Sequence, residues 1–115
     1  MGFLPVTFRN IGYTNINGSQ LQKMLNSNRK IFILDVRNLE EYKNGHIPNS
    51  VNIPVDMLST KLSTLRSYRN YEIVVYCAVG VRSIRASEIL AENGFNKIYN
   101  LDGGIPSYKG KLIRN

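Results

Sequence analysis

Two short runs of unbroken apolar residues do most to limit how this chain can fold. Ile31-Phe32-Ile33-Leu34 ends at Asp35, and Ile73-Val74-Val75-Tyr76 ends at Cys77. Neither alternates apolar with polar, so both faces of each strand need cover. Strands of that kind belong to parallel sheets with helices packed on both sides. A chain of 115 residues has room for one such domain, and a hydrophobic fraction of 43% supplies its core.

The rest of the sequence fits around these two strands. Residues 1–10, with Pro5 among them, read as an N-terminal extension, and residues 11–115 as a single domain. Tyr13 to Ile16 is a weak strand. Asn17, with Gln20 three positions on, has the spacing of a capping box. It opens a helix whose apolar stripe is Leu21, Met24 and Leu25. A short helix is expected near Leu39 to Lys43, a strand at Val51 to Ile53, and a helical stretch through Leu58, Leu62 and Leu65. After Cys77, a helix carrying Ala86, Ile89 and Leu90 stops at Asn93-Gly94, a favourable C-terminal cap. Lys97 to Leu101 forms the last strand. The alternation defines an open α/β fold with about five parallel strands, flanked by helices on both faces.

Charge and cysteine content narrow the function. The net charge is +7, with the basic residues scattered rather than massed. That spread serves solubility, and it also draws anionic substrates or an acidic partner. No dense basic run or aromatic–basic motif points to nucleic acid. One cysteine and one histidine are too few for a zinc site, so no metal is expected. A lone thiol forms no internal disulfide, which suits a reducing compartment. No apolar run reaches the roughly 18 residues of a membrane span, and residues 1–8 do not read as a secretory signal. Gly2 is not a myristoylation site, because Val6 stands where Ser or Thr is required. The expected setting is the cytoplasm, with no membrane.

In open α/β sheets, ligands bind outside the carboxyl ends of the strands. Cys77 stands at such an end and opens the loop Cys77-Ala78-Val79-Gly80-Val81-Arg82-Ser83, which runs straight into a helix. A lone cysteine after an apolar strand is ordinarily a small buried residue. The Gly-Arg-Ser sequence and the strand-to-helix junction favour a reactive one. Free N–H groups at the helix start and in the loop can surround an anion. Gly80 lets the backbone turn tightly, and Arg82 adds a permanent cation with a planar donor fork. Together they are expected to hold the Cys77 thiol below its ordinary pKa of about 8.5. The same donors would hold a persulfide, which is also an anion.

At these residues the chain resembles the rhodanese family of sulfurtransferases, from about Tyr13 to Tyr108. Asp35-Val36-Arg37, Glu41-Tyr42, Gly45-His46-Ile47-Pro48 and Asn52-Ile53-Pro54 resemble the family's upstream signature. Cys77 to Ser83 resembles its active-site loop, and Leu101-Asp102-Gly103-Gly104-Ile105 its closing motif. The resemblance implies a Cys77 persulfide formed in a ping-pong cycle, without a cofactor. It implies thiosulfate as a usable donor and cyanide or thiols as acceptors, with a sulfur-donor or acceptor protein as a further partner. Two departures bear on packing: Tyr108 stands where the family commonly has tryptophan, and Asn49-Ser50 replaces a frequent Gly-Ala pair. Asn49 can still adopt a left-handed turn.

The upstream residues have structural readings beside the chemical ones. Asp35 at a strand end has the position of an acid or base, but Asp35, Arg37 and Glu41 read better as an ion-pair and capping network supporting the site. Asn38 and Glu41 share capping-box spacing. His46 is a candidate base for Cys77, yet its Gly-His-Ile-Pro setting reads as a turn that fixes the next strand. Gly103-Gly104 lacks a phosphate-loop context and reads as a turn or close approach. Cysteine phosphatases are the nearest enzymatic rival, but they place a longer spacer between cysteine and arginine. Only four residues separate Cys77 from Arg82. Arsenate reduction would lack a second, resolving cysteine. A non-catalytic binding or sensor module is the rival of another class, disfavoured because both Cys77 and Arg82 are present.

Overall fold

The computed structural model describes residues 12–115; the N-terminal extension, residues 1–10, lies outside them. Five strands, β1 (Thr14–Ile16), β2 (Ile31–Asp35), β3 (Val51–Asn52), β4 (Glu72–Tyr76) and β5 (Ile98–Leu101), form one sheet in the order β1-β5-β4-β2-β3. Every pairing is parallel. The two apolar runs are the inner strands β2 and β4, paired from Ile31–Glu72 to Asp35–Tyr76. Their side chains divide between two cores. Phe32, Leu34, Ile73, Val75 and Cys77 face one side, and Ile33, Val74 and Tyr76 the other.

The described residues form four α-helices, α1 (Gly18–Leu25), α2 (Leu39–Lys43), α3 (Val55–Lys61) and α4 (Val81–Glu92); α1, α3 and α4 cover these faces, and α2 buries none of its residues. Helix α3 tightens into a 3-10 helix over Leu62–Tyr68. The stretch through Leu58, Leu62 and Leu65 is therefore two elements, not one. The first core takes Leu58 and Leu65 from this segment and Ala86 and Leu90 from α4; the second takes Leu21 and Met24 from α1. Both capping boxes form, Asn17 with Gln20 and Asn38 with Glu41. Gly94 (φ 91°) follows α4, and Asn49 (φ 67°) occupies the left-handed region foreseen for it. Tyr108 packs against the second core.

The topology creates the site. From β2 the chain moves outward to β3; from β4 it moves the opposite way to β5. The adjacent carboxyl ends of β2 and β4 thus flank a switch point, where ligands of open α/β sheets bind. Asp35 ends one strand and Cys77 follows the other. Among the described residues, no helix is long and apolar enough to cross a membrane.

Candidate active site

The loop after β4 turns at Gly80, whose φ of 101° requires glycine, and enters α4 at Val81. As N-cap, Gly80 has no side chain to accept hydrogen bonds from the first turn. The sulfur of Cys77 takes that part. Sγ accepts from the Gly80 amide at 3.1 Å and from the Ser83 amide, the third of the helix, at 3.3 Å. The Ser83 hydroxyl lies 3.4 Å away. These are the orphan donors of a helix start, and here they converge on one sulfur.

Two opposing effects set the ionisation of Cys77. Burial pushes the thiol up. The Ser83 hydroxyl and the amides of Ser83, Gly80 and Val79 pull it down, and they prevail, so the pKa lies below the ordinary value. The direction matches the sequence expectation, but the cause differs in part. The nearest stabilisers are the amides and the Ser83 hydroxyl. Arg82 is engaged elsewhere.

Arg82 donates from Nη1 to Glu41 Oε1 at 2.8 Å and from Nη2 to Oε2 at 2.9 Å. Glu41 is itself fixed as the third residue of α2. Its amide donates to Asn38 Oδ1 at 2.8 Å, and its Oε1 accepts from the Asn38 amide at 3.0 Å. The Arg82 pair holds the Glu41 carboxyl at a pKa of about 2, against the opposing effect of partial burial. The ion-pair and capping network expected of Asp35, Arg37 and Glu41 is thus present in part: Glu41 closes the capping box and feels the Arg37 charge, but its own ion pair is with Arg82. Asp35 and Arg37 do pair, buried, with Nη2 2.7 Å from Oδ2. Arg37 also donates to the Gly45 carbonyl at 2.7 Å. Glu41, carried on the helix that follows, faces the cysteine loop instead.

His46 lies just before the turn at Pro48-Asn49, in an isolated antiparallel bridge, and not in the turn itself. Its Nδ1 lies 2.8 Å from the Tyr42 carbonyl, its ring stacks on Tyr42 at 3.7 Å, and its backbone pairs with Ile113. Asn52 donates to the carbonyls of Asp35 and Arg37 at 3.0 and 2.8 Å, tying the sheet edge to the end of β2. Gly103 (φ 81°) lies in a turn and Gly104 (φ 74°) makes a close approach, the two readings given to the pair from sequence. A Cβ on Gly104 would lie 2.4 Å from the Ala78 carbonyl oxygen. The Ile105 amide donates to the Cys77 carbonyl at 2.9 Å, so the closing motif braces the loop from below. Among the described residues, no three His, Cys, Asp or Glu side chains gather where a metal could sit.

Cys77 as a whole is only 1% exposed, while Val79 and Val81 on the same loop are 68% and 69% exposed. The sulfur is thus buried in a loop that exposes two apolar side chains. The fold and this loop define a class: a parallel α/β domain whose lone thiol is held by the start of a helix at the sheet's switch point. Within that class the chain belongs to the rhodanese-like domain family, whose profile matches residues 17–111.

Three relatives place it further. A tRNA uridine(34) hydroxylase of Buchnera aphidicola subsp. Baizongia pistaciae is 34% identical over 112 residues, covering 91% of this chain but 35% of that protein. This chain therefore spans about a third of the length of that curated relative. A crystal structure of a rhodanese-related protein from Thermoplasma volcanium superposes with a TM-score of 0.79 at 34% identity, covering 90% of this chain and all of that one. A rhodanese with anions from E. coli gives a TM-score of 0.67 at 29% identity, covering 74% of this chain and 99% of that one.

Proposed function

We propose that this protein is a sulfurtransferase that carries sulfane sulfur on Cys77. The observation that carries the reading is the convergence of the Gly80 and Ser83 amides and the Ser83 hydroxyl on Sγ. Donors placed this way favour the thiolate, which is the nucleophile. In the first half-reaction the thiolate attacks the outer sulfur of thiosulfate. A new S–S bond forms to Cys77, the sulfur–sulfonate bond breaks, and its electron pair leaves with sulfite. In the second, cyanide or a thiolate attacks the terminal sulfur. The Cys77 persulfide bond breaks, its electrons return to Sγ, and thiocyanate or a new persulfide departs.

The depth of the sulfur supports this chemistry over phosphoryl transfer. A sulfane sulfur protrudes from its carrier by one S–S bond, about 2.05 Å, and reaches into a narrow loop where a bulky tetrahedral centre fits poorly. Arg82 meets the donor's anionic end. A guanidinium has five N–H donors, and the Glu41 pair occupies two. Thiosulfate, an alkyl persulfide or a partner protein's persulfide would each serve as donor. A carrier discharged by thiols suits the reducing, thiol-rich cytoplasm. The name of the longer curated relatives refers to tRNA, whereas the half-reactions proposed here run with small donors and acceptors and need no nucleic acid.

The test is mass spectrometry of protein treated with thiosulfate and freed of small molecules. The protein should be one sulfur heavier, and cyanide should restore the starting mass. Steady-state rates should give parallel double-reciprocal lines. Cys77→Ser should stay folded and lose the activity. Turnover without a mass gain, or an active Cys77→Ser variant, would refute the proposal.

A further inference from the structure

The cation of the loop is already matched. Arg82 gives both terminal nitrogens to the Glu41 carboxylate, and the capping box with Asn38 locks that carboxylate in place. With Cys77 ionised, the mouth holds one thiolate, one guanidinium and one carboxylate, a local charge of minus one. Asp35 and Arg37 form a buried pair that adds no net charge, although Arg37 acts on Glu41 and Asp35 on Arg82. The overall charge of +7 is spread over the surface and is screened beyond about 8–10 Å. A dianion approaching the sulfur therefore meets net repulsion at close range.

The rim carries a second, independent signal. Val79 and Val81 flank the loop, and Leu39, two residues before Glu41 on α2, is 55% exposed. Val79 and Val81 lie on the loop and first helical turn that follow Cys77, and Leu39 opens the helix that carries Glu41. A small, strongly hydrated dianion gains nothing from such surface. A donor whose sulfane sulfur is attached to an apolar group can bury that group there.

From the Glu41–Arg82 pair and this rim, we infer that Glu41 is a specificity-determining residue, and that the preferred donors are monoanionic or neutral sulfane-sulfur compounds with an apolar carrier rather than inorganic thiosulfate. The inference rests on sulfur transfer through Cys77 and names the substrate class for it. The step balances with a thiosulfonate as probe. The Cys77 thiolate takes the outer sulfur, the sulfur–sulfonyl bond breaks, and its electron pair leaves with the sulfinate. Glu41 makes no bond to the reacting atoms. It sets the charge that the donor meets.

The experiment compares benzenethiosulfonate, an aromatic monoanion, with thiosulfate in the wild type, Glu41→Gln and Val79→Ser. Glutamine keeps the capping box through its one carbonyl oxygen; it removes the charge and the second acceptor of Arg82. Wild-type kcat/KM for benzenethiosulfonate should exceed that for thiosulfate by roughly tenfold or more. Glu41→Gln should raise the thiosulfate value by roughly fivefold or more and change the other by less. Val79→Ser, on an exposed position, should lower the benzenethiosulfonate value by more than the thiosulfate value. A Glu41→Gln variant that lowers thiosulfate use, or that leaves the ratio of the two donors unchanged, overturns the inference, as does a wild type that prefers thiosulfate. Mass spectrometry separates this from failure of the underlying reading. If both donors load sulfur onto Cys77 at an unchanged ratio, the specificity role alone is wrong; if neither loads it, sulfur transfer itself is wrong.

Discussion

Ser83→Ala tests the electrostatic account of Cys77 most directly. Ser83 is fully buried, and its Oγ lies 3.4 Å from Sγ. In the neutral state the thiol can donate to Oγ. On ionisation the hydroxyl hydrogen turns to donate to the sulfur. The alanine variant keeps the backbone N–H bond at 3.3 Å and the helix, so the loss is confined to one donor. A hydrogen bond to a charged group contributes about 1.5–3 kcal/mol, and the length of this one argues for the low end. One pKa unit corresponds to about 1.4 kcal/mol, so at pH below both pKa values the thiolate population should fall about tenfold. The more basic thiolate is also the better nucleophile, with a Brønsted slope of about 0.4–0.5. The net effect on alkylation by iodoacetamide should then be a loss of roughly threefold to fourfold at acidic pH. At alkaline pH, where both thiols are ionised, the variant should overtake the wild type by roughly threefold. The assay is the second-order alkylation rate across pH, with ultraviolet thiolate absorbance as an independent titration. The curves must cross. A constant offset at every pH would mean that Ser83 shapes access rather than charge, and coincident curves would mean that the hydroxyl does not touch the ionised sulfur.

Arg82→Ala should lower kcat/KM for thiosulfate by roughly tenfold or more with a smaller effect on folding; unchanged kinetics would place Arg82 outside the site. Gly104→Ala forces a side chain into φ 74°, ψ −160° and to within 2.7 Å of the Cys77 carbonyl oxygen. At about 1–3 kcal/mol for the backbone conformation alone, its melting temperature should drop by at least about 5 °C, and the Cys77 alkylation rate should change with it. The carboxyl of Glu41 is depressed from 4.5 to about 2 in the folded state, so its contribution to stability is present above 4.5 and is lost as the pH falls through about 2. The difference in urea midpoint between wild type and Glu41→Gln should follow that window, and a difference that persists unchanged at pH about 2 would contradict it.

Much of the architecture was legible because it rests on local rules. Unbroken apolar runs can only be inner strands of a covered sheet, and β2 and β4 are those strands. The boxes at Asn17 and Asn38, the Gly94 stop and the left-handed Asn49 each follow from chemistry within a few residues. The ion-pair partner of Glu41 was not legible for the same reason. Asp35, Arg37 and Glu41 are close in sequence, and a local rule groups them. The actual partner is 41 residues away, brought in because β2 and β4 are neighbours and each feeds a helix at the same end of the sheet. Nor did local reasoning find that the chain's last residues return to His46 and Lys43, pairing Ile113 and Asn115 with them. That register depends on where the sheet edge ends, not on any motif.

The one signal in the sequence that went unused is an absence. Gly80-Val81-Arg82-Ser83 starts a helix with no Ser, Thr, Asp or Asn at the cap, although such a residue satisfies the first-turn amides of most helices. Amides at a buried helix start do not remain unpaired without cost, so another acceptor had to be close, and the only polarisable atom delivered there by the preceding strand is the sulfur of Cys77. Its bonds to Gly80 and Ser83 are that cap. The substitution ties reactivity to folding. A serine or aspartate cap would complete the helix and give no sulfur nucleophile, whereas a thiol caps weakly until it ionises, and then both the helix and the charge gain. Depression of the Cys77 pKa and stability of the α4 start are therefore one free energy seen from two sides, fully present above the unfolded thiol's pKa and lost as the pH falls through the folded one.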